Sequence, residues 1–361
     1  MPAIELKGVS KYYDKLAAVD HVDLRIEDGE YITILGPSGC GKTTLIRMIA
    51  GIITPTEGVI TIGGKDMAGM PIEDRDIGYV FQNIALFPNL NVRDNVSYSP
   101  RVMGKETAEQ DSISTKYLEL VKLLDKMEMF PNELCGGEQQ KVSLARALAT
   151  GSKVILLDEP LSALDARVRV DLRYDLRRLV KSLGITTVHV THDQEEAMSV
   201  SDRIVLMKKG AVVEIGTPEQ LYTKPLKIFT ANFIGETNLL EGWVKSVGDG
   251  ITKIGLRDES IVEVLNSVMK PGVPVVVSVR PEFVFPFTSG LHASITTITY
   301  MGTYWHIQAM ADSEDRVDFD VPTSDGKLYH EGQEVYLMIN KKAAVVYPRP
   351  IEGIAEAVKL E

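Results

Sequence analysis

Apolar and polar residues alternate at the start of the chain, Ile4-Glu5-Leu6-Lys7, and the run turns at Gly8, a period of two that predicts an antiparallel strand. A second alternating run, Val22-Asp23-Leu24-Arg25-Ile26, ends in the turn Glu27-Asp28-Gly29-Glu30 and feeds a third strand, Tyr31-Ile32-Thr33-Ile34-Leu35. A helical run, Thr44-Leu45-Ile46-Arg47-Met48-Ile49, follows and stops at Gly51. Gly58-Val59-Ile60-Thr61-Ile62-Gly63-Gly64 reads as a short edge strand with a glycine turn. Ile77-Gly78-Tyr79-Val80-Phe81-Gln82 is nearly continuous in apolar character, as a strand of a buried parallel sheet should be.

Between about residues 87 and 150 the strand signals fade and helical spacing takes over, with Tyr117, Leu120, Val121 and Leu124 on one face. This predicts a helical subdomain inserted into an α/β body. The body resumes at Lys153-Val154-Ile155-Leu156-Leu157-Asp158-Glu159-Pro160, where a buried-type strand ends in two carboxylates. Open α/β sheets place ligands at that end of their strands. A charged helix over residues 166–183, the strand Thr186-Thr187-Val188-His189-Val190, and two strands bracketing Lys208-Lys209-Gly210 complete it. From residue 239 onward Val, Ile, Thr, Gly and Pro dominate short segments such as 273–280, 293–299 and 334–340, the spacing of a small β-barrel.

Chemistry enters between the third strand and the first helix. Gly36-Pro37-Ser38-Gly39-Cys40-Gly41-Lys42-Thr43 fits the phosphate loop G-x-x-x-x-G-K-[ST] in its required strand-to-helix context. Glycines let successive N–H groups face one anion, and the helix, which Thr44 continues, adds its positive N-terminal end. Lys42 supplies a point charge for β- and γ-phosphates and Thr43 a hydroxyl for Mg²⁺. Composition narrows the setting. The chain has 361 residues, enough for two or three domains, 44% hydrophobic and 25% charged. A net charge of −11 argues against nucleic acid as partner, and two cysteines, Cys40 and Cys135, suit a reducing compartment. The opening residues lack a signal-peptide pattern and no apolar run approaches a bilayer span, so any work at a membrane is expected to go through a partner.

The stretch Leu134-Cys135-Gly136-Gly137-Glu138-Gln139-Gln140 resembles the signature motif of ABC transporter ATPases, usually L-S-G-G-Q before a helix, and Pro160-Leu161-Ser162-Ala163-Leu164-Asp165 resembles their D-loop. The order phosphate loop, Gln82, signature, Asp158-Glu159, D-loop, His192 is the order of that family. The resemblance implies an ABC ATPase of the α/β P-loop class over residues 1–235, with the helical subdomain at 87–150. It implies ATP and Mg²⁺ as ligands. Asp158 would serve the metal together with Thr43 and Gln82, Glu159 would be general base toward water, and His192 would orient γ-phosphate and water. Tyr13 stands where the family stacks an aromatic ring on adenine, with Tyr12 as the register alternative and simple packing as another reading. Individually, Asp158 and Glu159 also suit a helix cap and His192 a surface loop. Cys135 replaces the serine that would donate to the γ-phosphate of a partner subunit, and a thiol is the weaker donor. Two readings follow: an active but slower ATPase, or a tolerated small residue, since the two side chains are alike in size.

Gly216-Thr217-Pro218-Glu219-Gln220-Leu221-Tyr222, Phe233-Ile234-Gly235-Glu236-Thr237-Asn238-Leu239-Leu240 and Val279-Arg280-Pro281-Glu282 resemble the linker and OB-like TOBE domain of importer ATPases, here residues 236–361. The domain is read as a dimerisation platform or a regulator. The resemblance implies a homodimer on the cytoplasmic face of the plasma membrane beneath two membrane-spanning permease subunits. An extracytoplasmic solute-binding protein would act indirectly, and no nucleic acid is involved. The solute leans to polyamine or ferric iron, with sugar or oxyanion import, a non-transport ABC ATPase and a P-loop kinase as alternatives.

Overall fold

The computed structural model describes residues 3–162, 164–265 and 269–360. Two compact units divide the chain, one running to Pro218 and one spanning Glu219–Leu360. In the first, chain order is β1 (Ile4–Tyr13), β2 (Leu16–Ile26), β3 (Tyr31–Leu35), α1 (Lys42–Ala50), β4 (Glu57–Ile62), β5 (Lys65–Asp66) and β6 (Ile77–Val80). Then come α2 (Val92–Val102), α3 (Thr107–Leu120), α4 (Gly136–Leu148), β7 (Val154–Asp158), α5 (Ala166–Ser182), β8 (Thr186–Thr191), α6 (Gln194–Val200), β9 (Arg203–Lys208) and β10 (Ala211–Gly216).

The alternating strands β1 and β2 join β4 and β5 in an antiparallel sheet, order β2-β1-β4-β5. The continuous apolar strands form a second sheet, order β10-β9-β3-β8-β7-β6, parallel except for β10. The two strand classes thus separate by pattern, because only a strand covered on both faces tolerates an unbroken apolar run. Leu45, Ile46, Met48 and Ile49 of α1 pack between Ile32 and Ile34 of β3 and Leu6 and Leu24 of the antiparallel sheet. Each such fully buried aliphatic side chain contributes about 2 kcal/mol. The helix that follows the phosphate loop is therefore clamped by two sheets.

Helices α2, α3 and α4 share a core with β7, through Val92, Val96, Leu118, Val142, Leu148, Ile155 and Leu157. The expected face of Tyr117, Leu120, Val121 and Leu124 is only partly the buried one. Helix α3 ends at Leu120, Lys122 turns left-handed at φ 61°, and the chain re-enters the core with Leu123. Leu118 is fully buried, while Leu120 and Leu124 remain 39% and 37% exposed.

The second unit holds α7 (Pro218–Thr223), α8 (Ile228–Phe233), β11 (Asn238–Gly248), β12 (Ile251–Leu256), β13 (Ile261–Leu265), β14 (Pro274–Val279) and β15 (Val284–Phe287). It continues with β16 (Leu291–Tyr300), β17 (Tyr304–Ala311), β18 (Arg316–Pro322), β19 (Glu334–Ile339), β20 (Val345–Pro348) and α9 (Ile354–Val358). The strands make two five-stranded antiparallel sheets, β13-β12-β11-β14-β20 and β15-β19-β16-β17-β18, that share one core of Leu240, Val275, Val277, Ala293, Ile307 and Phe319. The division at Pro218 falls earlier than residue 235, and Arg280 gives the reason. Its buried guanidinium donates to the carbonyls of Ala231 (2.6 Å), Gly235 (3.1 Å), Glu236 (2.9 Å) and Tyr222 (3.2 Å), tying α7 and α8 to the β-rich unit.

Candidate functional site

Two glycines of the phosphate loop cannot be replaced without backbone movement. A Cβ on Gly36 would lie 2.3 Å from the Met207 carbonyl oxygen, and one on Gly41 2.1 Å from that of Ala18, with φ at +102°. Gly41 caps α1 without any side-chain acceptor, so the first-turn N–H groups of the helix face the loop mouth. Lys42 is 95% buried, and its ammonium donates to the carbonyls of Gly36 and Pro37, both at 2.8 Å. Cys40 lies buried under the loop, where burial pushes its thiol pKa up.

A cleft of about 580 Å³ opens above the loop, lined by Ser38, Gly39, Gly41, Lys42, Thr43 and Thr44, by Glu159, and by Leu16, Ala17, Ala18, Lys209 and Gly210. That volume suits a nucleotide-sized ligand. Beneath its floor Asp158 ends β7, almost wholly buried. The Thr43 hydroxyl donates to its Oδ1 at 3.4 Å, and the Tyr79 hydroxyl to its Oδ2 at 3.0 Å. Burial raises the Asp158 pKa above the ordinary carboxylate value, against the opposing pull of Tyr79 and Arg47. The next residue, Glu159, is turned left-handed at φ 47°, and its N–H donates to the Val190 carbonyl of β8 at 2.9 Å. A non-glycine residue held in this region marks a conformation imposed by its surroundings. The turn brings the Glu159 carboxylate out of the sheet, where Gln82 Nε2 donates to its Oε2 at 3.0 Å and His192 Nδ1 stands 3.3 Å from the same oxygen. Three residues from the ends of β6, β7 and β8 thus meet at one point beside the phosphate loop.

The remaining residues singled out in the sequence lie elsewhere. Tyr13 ends β1 with its ring about half exposed and the Lys11 ammonium 5.3 Å from its centroid, and it does not line the cleft. Tyr12 reaches Asp20 instead, at 3.4 Å. Asp165 caps α5 by accepting from the Val168 N–H at 3.0 Å. Cys135 caps α4 on the exposed surface, and none of Cys135, Gly136, Gly137 and Glu138 lines the cleft of their own chain. Glu138 folds back to accept from the Cys135 N–H at 3.1 Å and pairs with the Lys126 ammonium, which holds its carboxyl pKa below the ordinary value. The extra negative charge that Glu138 brings to the signature is thereby offset within the chain. Sequence reasoning missed Tyr79, Arg47, Leu16 and Lys209. Tyr79 sits in an apolar strand, and only the parallel register Tyr79 to Leu156 places it next to Asp158.

A phosphate loop after the central strand β3, paired carboxylates at the end of β7 two strands away, and an inserted helical subdomain opening on a glycine-rich cap define an ATP-binding cassette. Residues 19–162 match the ABC transporter family and residues 277–346 the TOBE domain. The chain is 39% identical to the spermidine/putrescine import ATP-binding protein PotA of Thermobifida fusca, over 96% of this chain and 94% of that protein. It is 41% identical to the Fe(3+) ions import ATP-binding protein FbpC 2 of Rhizobium meliloti, over 81% and 77%. Among solved structures, a dimeric ATP-binding cassette in a post-hydrolysis state, bound to ADP and Pi, superimposes with a TM-score of 0.54. It shares 33% identity and covers 60% of this chain and 98% of its own. The chain belongs to the ABC transporter family and is an import-type ATPase subunit carrying a TOBE domain.

Proposed function

We propose that this chain hydrolyses ATP at a site shared between two copies of itself and so drives uptake of a polyamine through two membrane-spanning permease subunits at the cytoplasmic face of the membrane. The observation that carries the chemistry is the convergence of Gln82 and His192 on one oxygen of Glu159 beside the phosphate loop. In this reading the loop N–H groups and Lys42 bind the β- and γ-phosphates, and Tyr13, outside the cleft lining but paired with Leu16 at its edge, would stack on an adenine that extends past Leu16. Glu159 takes the proton of the attacking water. His192 and Gln82 hold the Glu159 carboxylate in place and orient the water.

The Thr43 hydroxyl, the Asp158 carboxylate and the Gln82 amide are the hard oxygen donors that Mg²⁺ prefers, and Thr43 and Asp158 already stand 3.4 Å apart. These residues would hold it, and the ion would offset charge on the phosphate oxygens. The signature residues Cys135, Gly136, Gly137 and Glu138 lie outside the lining of their own cleft and would complete that of a second copy, Asp165 ordering the start of α5 at the junction. The dimeric cassette of known structure supports this arrangement. ATP closes the pair, and hydrolysis reopens it. A short helix of the permease would dock beside Gln82 and carry the motion, with the solute-binding protein acting from the far side.

Polyamine is favoured because several similar relatives carry that printed substrate. Ferric iron is the second reading, on the 41% identical FbpC 2. The base assignment is tested by Glu159→Gln, which should keep ATP binding and lower steady-state hydrolysis about 100-fold or more. Turnover at the parental rate would refute it.

A further inference from the structure

The carboxylate of Asp158 has two oxygens with different surroundings. Oδ1 faces the Thr43 hydroxyl at 3.4 Å, on the side of the cleft, while Oδ2 accepts from the Tyr79 hydroxyl at 3.0 Å and has the Arg47 guanidinium 3.9 Å away. Rotation about the last torsion of an aspartate is soft and its two oxygens are chemically equivalent, so nothing in the side chain itself fixes the plane of the carboxylate. Tyr79 decides it. Its strand β6 is bonded to β7 in parallel register, and its ring packs against Phe81 with centroids 4.4 Å apart and planes tilted by 42°, so the hydroxyl is delivered from a held ring.

We infer that Tyr79 is a positioning residue for the divalent cation: by holding Oδ2 it keeps Oδ1 of Asp158 turned toward Thr43, in the orientation in which the pair receives Mg²⁺ with the nucleotide. The inference rests on the assignment of Asp158 and Thr43 to the metal. Donors that orient a ligating side chain set metal affinity without touching the metal, and their loss typically weakens it ten- to a hundredfold. Without the hydroxyl, the nearest remaining partner of Oδ2 is Arg47, whose attraction is not directional in the same way and draws the carboxylate toward α1.

The test is Tyr79→Phe, which keeps the ring and its packing against Phe81 and deletes only the hydroxyl. Binding of a fluorescent ATP analogue to the full chain is measured first in EDTA and then across a Mg²⁺ titration. The inference expects affinity in EDTA within about twofold of the parental protein, and a Mg²⁺ midpoint about tenfold higher. Coincident Mg²⁺ midpoints would overturn it. So would a loss of EDTA affinity as large as the loss in Mg²⁺, because the residue would then be supporting the loop rather than the cation. If parental binding itself were indifferent to Mg²⁺, the metal assignment would fail and the inference with it.

Discussion

At the scale of single residues, the site is built from small deviations that each have one cause. Glu159 leaves the buried strand by a left-handed turn, and Gly36 and Gly41 admit backbone carbonyls where a side chain would stand. Cys135 is the departure that would have a functional consequence in the proposed shared site. It caps α4 on the surface, and a thiol there is a weaker donor to a phosphate oxygen than a hydroxyl. Cys135→Ser should therefore raise ATP turnover about three- to tenfold at saturating ATP, the equivalent of roughly 1 kcal/mol in the barrier. Equal turnover and equal ATP-driven dimerisation in the two proteins would show that the substitution is neutral. Most of the site was legible because its residues lie in contiguous stretches whose spacing is set by local geometry: a loop between strand and helix, two carboxylates at a strand end. Tyr79 was not legible. Its partner is 79 residues away, and only the pairing of β6 with β7 brings them together. Glu138 stands where the signature motif usually has Gln, and its bond to Lys126 shows how the added charge is accommodated.

At the scale of elements, periodicity separated the two strand classes and found the inserted helices, because covered and half-covered strands carry different patterns. It erred where a helix ended. The left-handed Lys122 breaks α3 after Leu120, and a lysine gives no sequence signal for that break. Connections through buried cations were equally invisible. Arg280 satisfies four carbonyls of α7, α8 and the following turn while burial pushes its pKa down, and its guanidinium lies 4.5 Å over the Tyr222 ring. Arg280→Ala leaves those carbonyls without their donor and should destabilise the C-terminal unit by about 3 kcal/mol. Both tryptophans, Trp243 and Trp305, lie in that unit, so urea unfolding followed by tryptophan fluorescence reads it selectively. An unchanged midpoint would mean that the helices are held by packing alone.

At the scale of the whole molecule, the chain combines an ABC ATPase unit with a TOBE-bearing β unit, and no described helix is long and apolar enough to cross a membrane. Its half-site logic is the central claim. The phosphate loop and Glu159 share one cleft, while Gly136 lies outside it on the exposed start of α4, and a Cβ at Gly136 would meet nothing closer than Leu164 at 3.4 Å. Gly136→Asp is thus compatible with the fold yet places a carboxylate where the γ-phosphate of a second copy would sit. The most direct measurement is retention of labelled ATP after rapid gel filtration by the Glu159→Gln protein, with and without Gly136→Asp. The shared-site account predicts that Glu159→Gln elutes as a dimer with ATP trapped in each chain, and that adding Gly136→Asp leaves ATP binding at equilibrium but abolishes trapping. Undiminished trapping in the double variant would contradict it, because the site would then be complete within a single chain.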